Sequence, residues 1–196
     1  MFDLRTSRDF YVMLVEDFDD FMAEPHSARR ALHCAITAYH LHEWVWGDWL
    51  KSDSAVKQTL GIEDLKSFRV WLDSTYPWFS IVQNLTNGTK HFARDERFQT
   101  LVVRAVPFSL DIVGAGLDEG AFGGPLLNEG SAKQDSEGRL LIDFGEAAGE
   151  HRWLPAAHLL DSVVRFWRDF FKKYHHSSDI PMSRHHVDCQ HQVEAL

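Results

Sequence analysis

From Ser27 to Ser52 the chain reads SARRALHCAITAYHLHEWVWGDWLKS, one long helical stretch that is apolar nearly all the way round and yet carries His33, His40 and Glu43. A helix of this kind belongs inside a protein. At about 100° per residue, Ala28, Ala31, Leu32, Ala35, Tyr39, Trp46 and Trp49 cover one broad side, and Ala38, Leu41 and Val45 widen it. The narrow remainder holds His33, Thr37, His40, Trp44 and Asp48, with Glu43 on its border. Buried titratable groups need partners, so this stripe is expected either to meet polar side chains in the interior or to line a pocket.

A chain of 196 residues with 44% apolar content can bury a core of its own, which predicts one domain over residues 1–174 followed by a polar tail over 175–196. Seven Trp and fourteen Phe imply a core built on large rings. The net charge of -9 argues against a coat on nucleic acid or an anionic membrane, while leaving room for a local basic patch. Cys34 and Cys189 are the two cysteines, and Cys34 falls in the buried helix, so no disulfide framework is expected. The opening residues MFDLRTSRDF lack an apolar secretory core, and no apolar run approaches the roughly 18 residues of a membrane span. Together these features predict a cytoplasmic protein without a membrane partner.

The pattern runs helical, then stranded, then helical. Thr6 or Ser7 can cap a first helix whose Phe10, Leu14, Phe18 and Phe21 share a face, and Pro25 ends it. Ser27 caps the central helix; Asp53 or Ser54 starts a short turn of helix that breaks at Gly61. Ile62 to Tyr76 reads as an amphipathic helix with Leu65, Phe68, Val70, Trp71 and Leu72 apolar, and Pro77 leads into another that runs to about Phe92. Gln99 to Val106 is an expected strand, Phe108 to Ala115 a weaker one, and the Gly-rich segment Gly114 to Ser136 a long loop. Arg139 to Phe144 and His151 to Leu154 form a hairpin pattern. Pro155 opens a last helix striped by Leu160, Val163, Val164, Trp167, Phe170, Phe171 and Tyr174. The fold class is therefore α+β: a bundle of about five helices with a small antiparallel sheet inserted before the C-terminal helix.

Two constellations carry chemistry. Asn84, Asn87, Lys90 and His91 fall within about a third of a helical circumference, so four hydrogen-bonding side chains could converge on one ligand. The same face lies opposite the apolar one, which is also what an ordinary solvated surface looks like. His40 and Glu43 have a spacing that lets two ligands meet one ion, with His33 two turns away and His91 or His158 as further ligands. Histidines on buried helices are more often hydrogen-bonded core residues, so no metal and no other cofactor is predicted. His185, His186, Cys189 and His191 form a metal-like tract in a segment with no visible scaffold. The pairs Gly114/Gly116 and Gly123/Gly124 are not followed by Lys or a helix and read as turns.

The run HLHEWVWGDWL, then NLTNGTKHF, then strands and a helix with RFWRDFF, resembles a group of uncharacterised bacterial proteins that pair a His-x-x-acidic-Trp helix with an Asn-x-x-Lys-His-Phe motif. The helical part also resembles HEPN-type domains, small bundles found in RNases of toxin–antitoxin and phage-defence systems. That second resemblance implies a protein acting on or binding RNA or a nucleotide in stress or defence, commonly as a homodimer. In it His91 matches the HEPN His and Asn84 the polar residue; the polar stripes of the two helices add His40 and Glu43 to His91 as catalytic residues and Asn87 and Lys90 to Asn84 as ligand-binding ones, with His40 and His91 expected close together. In HEPN nucleases an Arg precedes the His, and here Gln83 stands in its place. Ribonuclease-like activity and a non-catalytic module that docks a protein through its acidic surface therefore both remain open, with a metal-dependent hydrolase third.

Overall fold

The structure, a computed structural model, describes residues 4–88, 104–108, 139–144, 146, 149, 152–176 and 179–186. Helix α1 (Ser7–Ala23) opens on a reciprocal cap. The Asp9 N–H donates to Thr6 Oγ1 at 3.1 Å, and the Thr6 N–H donates to the Asp9 carboxylate at 2.9 Å. Ser27 caps α2 (Ala28–Asp48), which passes into a short 3₁₀ turn, Leu50–Ser52. Asp53 caps α3 (Ser54–Leu60), and Gly61 ends it at φ +68°, in the left-handed region a side chain would resist. Helices α4 (Leu65–Thr75) and α5 (Trp78–Gly88) follow. Strands β1 (Arg104–Phe108), β2 (Arg139–Asp143) and β3 (Trp153–Pro155) form an antiparallel sheet in that order, and α6 (Ala156–Tyr174) completes the chain of elements. The expected helix-dominated α+β arrangement, with a small sheet just before the last helix, is the one observed.

The core explains why α2 has so little polar surface. It packs against α1 on one flank and α5 on another, and also touches α4 and α6. Ala35, Ala38, Leu41 and Val45 are buried, and Trp167 of α6, fully buried, donates its indole N–H to the Ala38 carbonyl at 3.0 Å. Cys34 is fully buried too; burial, with Asp17 nearby, pushes its thiol well above the ordinary value. Phe10, Leu14, Phe18 and Phe21 bury together, as their spacing predicts. The sheet joins the bundle through the Leu140 N–H, which donates to the Pro25 carbonyl at 3.2 Å. Across the hairpin Arg152 grips buried Asp143 with two bonds, at 2.8 and 3.2 Å.

Three expectations are corrected. The helix expected from Ile62 begins at Leu65, because the Asp64 carboxylate accepts from the Ser67 N–H at 2.7 Å and fixes the cap there. Val70, placed among the apolar residues of that helix, is 62% exposed. Part of the segment read as a polar tail packs back on the bundle, with Ile180, Ser183 and His186 buried. The Gly-rich loop, the strand start before Arg104 and the end of the helix beyond Gly88 lie outside the described residues. Among the described residues no helix is long and apolar enough to cross a membrane.

Candidate functional site

The polar stripe of α2 is divided between an interhelical seam and the surface, and its last member, Asp48, also lines a cleft. Thr37 is buried and donates its hydroxyl to Asp17 of α1 at 2.6 Å. Trp44 stacks on Phe10 with ring centroids 4.7 Å apart. Asp48 accepts from both the N–H and the hydroxyl of buried Ser7, each at 2.8 Å, so it closes the free N-terminal amide of α1. His33 points to solvent. His40 and Glu43 form an i,i+3 pair at 3.1 Å with side chains 27% and 52% exposed, rather than the buried groups the pattern suggested.

The buried histidine is His42, on the face toward α5. Its Nδ1–H donates to the Tyr39 carbonyl at 2.5 Å, which assigns the proton to Nδ1 and leaves a bare lone pair on Nε2. That nitrogen is buried and has no hydrogen-bond partner among the described residues. Burial outweighs the helix carbonyl and Glu43 and holds the imidazole below its ordinary value of 6.5, so at neutral pH His42 is an uncharged acceptor.

Around Tyr39, which is 5% exposed, rings and charges converge from three helices. His40 lies edge-on at 5.3 Å, His42 at 4.9 Å, and Phe79 of α5 at 5.5 Å; Phe79 also meets His42 edge to face. From α4 the Arg69 guanidinium carbon sits 5.8 Å from the Tyr39 ring centroid. Burial pushes the Tyr39 phenol up, against the pull of Arg69 and of a hydrogen bond from the Gln83 amide. Desolvation likewise raises the Asp73 carboxyl, with Arg69 opposing it. Glu43, Arg69 and His40 all lie close enough to bias the His42 proton. The arrangement therefore combines a fixed cation, a solvent-facing imidazole, a neutral buried imidazole and two carboxylates at the junction of α2, α4 and α5.

Of the residues expected to bind a ligand, Asn84 turns back and donates to the Ser80 carbonyl at 2.7 Å, and Asn87 is half-buried one turn further along. Thr86, between them, donates to the Ala35 carbonyl at 3.4 Å, so the asparagines lie level with the Ala35 turn of α2. Lys90 and His91 lie outside the described residues, and with them the expected approach of His91 to His40. His158 is exposed and meets the ring of Trp78. Among the described residues no group of three or more His, Cys, Asp or Glu is placed to hold a metal ion. A cleft of about 590 Å³, lined in part by Trp49, Asp53, Tyr174 and His176, opens where α2 and α6 end.

Sequence reasoning missed His42 and set Arg69 aside, because by spacing neither it nor Arg30 supplies the missing motif Arg. His42 follows Tyr39 by three residues and Ala35 by seven, so helical spacing already put it on the buried side. Arg69 carries no such signal, because only tertiary packing brings α4 to Tyr39. Comparison with protein-family models, with curated proteins and with solved structures finds no match.

Proposed function

We propose that this protein acts on or binds RNA or a nucleotide, in the cytoplasm, through the face where α2, α4 and α5 meet. The observation that supports this reading is the placement of Arg69. Gln83 occupies the motif position of an Arg, and Arg69 brings a guanidinium from another helix to Tyr39, which His40 and His42 also border. A guanidinium suits a phosphate, and a solvent-facing imidazole paired with a carboxylate suits proton transfer, since imidazole titrates near neutral pH. Arg69 is the phosphate contact in this reading, His40 the acid or base, and Glu43 the group that orients it. A homodimer would set two such faces together, as the HEPN resemblance implies.

The test is a set of binding titrations and cleavage assays with single-stranded RNA and with ATP and GTP. The parent protein should bind or cleave one of them. Arg69→Ala and His40→Ala should each lose that activity with an unchanged melting temperature, and His91→Ala and Lys90→Ala extend the test to the rest of the motif. A parent inactive on all three, or fully active variants, would sink the proposal.

A second reading, a non-catalytic module, draws on the other flank of α2, where Thr37, Asp48 and Asp17 are all engaged in holding helices together. In that reading the acidic surface docks a protein partner and the cluster around Tyr39 is structural. Loss of stability on replacing Arg69, with no activity in the parent, would favour it.

A further inference from the structure

We propose that residues 179–186 are a pH-released strap, docked across the seam of α1 and α6 while the His186 imidazole is uncharged and let go when it gains a proton. The strap is held at both ends and in the middle. Arg8 of α1 donates to the Asp179 carbonyl at 2.7 Å and to its carboxylate at 3.2 Å. The Tyr11 hydroxyl donates to the Pro181 carbonyl at 3.1 Å. Ser183 donates to Asp19 at 2.5 Å, and Arg184 reaches the Asp19 carbonyl at 3.2 Å. Ile180, Ser183 and His186 supply the buried surface, so the segment docks by three inward side chains rather than by a regular element.

His186 is the member whose charge can change. Its ring is 5.5 Å from that of Phe18 on α1 and is 3% exposed. On α6 its Nε2 lies 2.9 Å from the Asp161 carboxylate, and Nδ1 is buried without a hydrogen-bond partner among the described residues. Asp161 is already engaged: its other oxygen accepts from Arg165 at 2.8 Å. Among the described residues the remaining charges that face the ring are Arg165 and Arg168 of α6; Asp19 of α1 meets the strap through Ser183 and Arg184, and His185 is solvent-exposed. A proton on His186 therefore enters a desolvated site beside two guanidinium groups, with one carboxylate that Arg165 already holds.

Burial, reinforced by Arg165 and Arg168 and opposed by Asp161, holds the docked imidazole below 6.5. The undocked strap titrates near the ordinary value. Docking is thus at full strength above about pH 6.5 and weakens as pH falls from there toward the docked value, by up to about tenfold per pH unit in the docking equilibrium.

Hydrogen exchange on the full chain between pH 7.5 and 5, corrected for intrinsic rates, reads that equilibrium directly. Protection across 179–186 should fall below pH 6.5 by a larger factor than that of the α2 amides, and His186→Gln should flatten the strap's response. The His186 imidazole, followed by NMR in the parent protein, should titrate below 6.5, and this measurement decides the matter if the variant does not fold. Unchanged strap protection down to pH 5, an equal response in His186→Gln, a loss of α2 protection as large as the strap's, or an imidazole titrating at or above 6.5 would each overturn the proposal.

Discussion

The two flanks of α2 carry polar side chains to opposite ends. Toward α1 the bonds close: Thr37 on Asp17, and Asp48 on both donors of Ser7. Toward α4 and α5 the groups are held by ring contacts. Tyr39 is bordered by His40, His42, Phe79 and Arg69, and the Nε2 lone pair of His42 meets no donor among the described residues. Closed hydrogen bonds fix the register of two helices and leave nothing to react. Groups positioned by packing keep a lone pair and a guanidinium in reserve, at the cost of an unsatisfied buried atom. The difference separates scaffold from candidate chemistry on one helix.

The comparison breaks most visibly at Phe79, fully buried against both Tyr39 and His42. Phe79→Ala should cost about 3–5 kcal/mol in urea unfolding and lower amide protection in α5 more than at the start of α1. Equal loss on both flanks would show that they do not behave separately. Next comes the closed flank. Asp48→Ala strands the buried N–H of Ser7 and should cost about 1–2 kcal/mol, read from the same unfolding curves.

His42→Leu tests the open flank. It removes the unpartnered nitrogen while keeping an apolar side chain of comparable size, so its effect at pH 8 should stay within about 1.5 kcal/mol. Because the folded protein holds His42 below 6.5, the parent should lose stability as pH falls from 6.5 toward that lower value. Melting curves of His42→Leu across this window should show a smaller decline. A decline equal to the parent's would mean that His42 is not the group being protonated. The smallest effect on stability is expected for His40→Ala, whose exposed pair with Glu43 should be worth no more than about 0.5 kcal/mol. A loss above 1 kcal/mol would move His40 from the chemical flank to the structural one.

Much of the fold was legible because its signals are local. Thr6, Ser27 and Asp53 announce helix starts by their side-chain oxygens, Gly61 a helix end by its left-handed backbone, and α6 its inner face by period alone. The long helix was also legible as buried. What its polar stripe meets was not, because periodicity places Thr37 and Asp48 on a face but does not say that Asp17 and Ser7 lie opposite. The candidate site suffered more. Tyr39 and His42 are one turn apart and could be paired from spacing, whereas Arg69 and Gln83 reach Tyr39 from helices whose docking angle no local pattern records. The strap escaped for a different reason: eight residues anchored by Ile180, Ser183 and His186 have no period to detect.

Cys34 gives the closed flank a clock. Its thiol is fully buried beside Asp17, and with the proton held this tightly almost no thiolate exists at neutral pH. An alkylating reagent can therefore consume it only during the moments when the packing over this part of α2, beside Asp17 of α1, opens. In a chain with Cys189 replaced by Ser, the alkylation rate divided by that of a free thiol is the fraction of time the seam stands open. A single atom thus turns the interhelical contact into a quantity that can be timed without unfolding the protein.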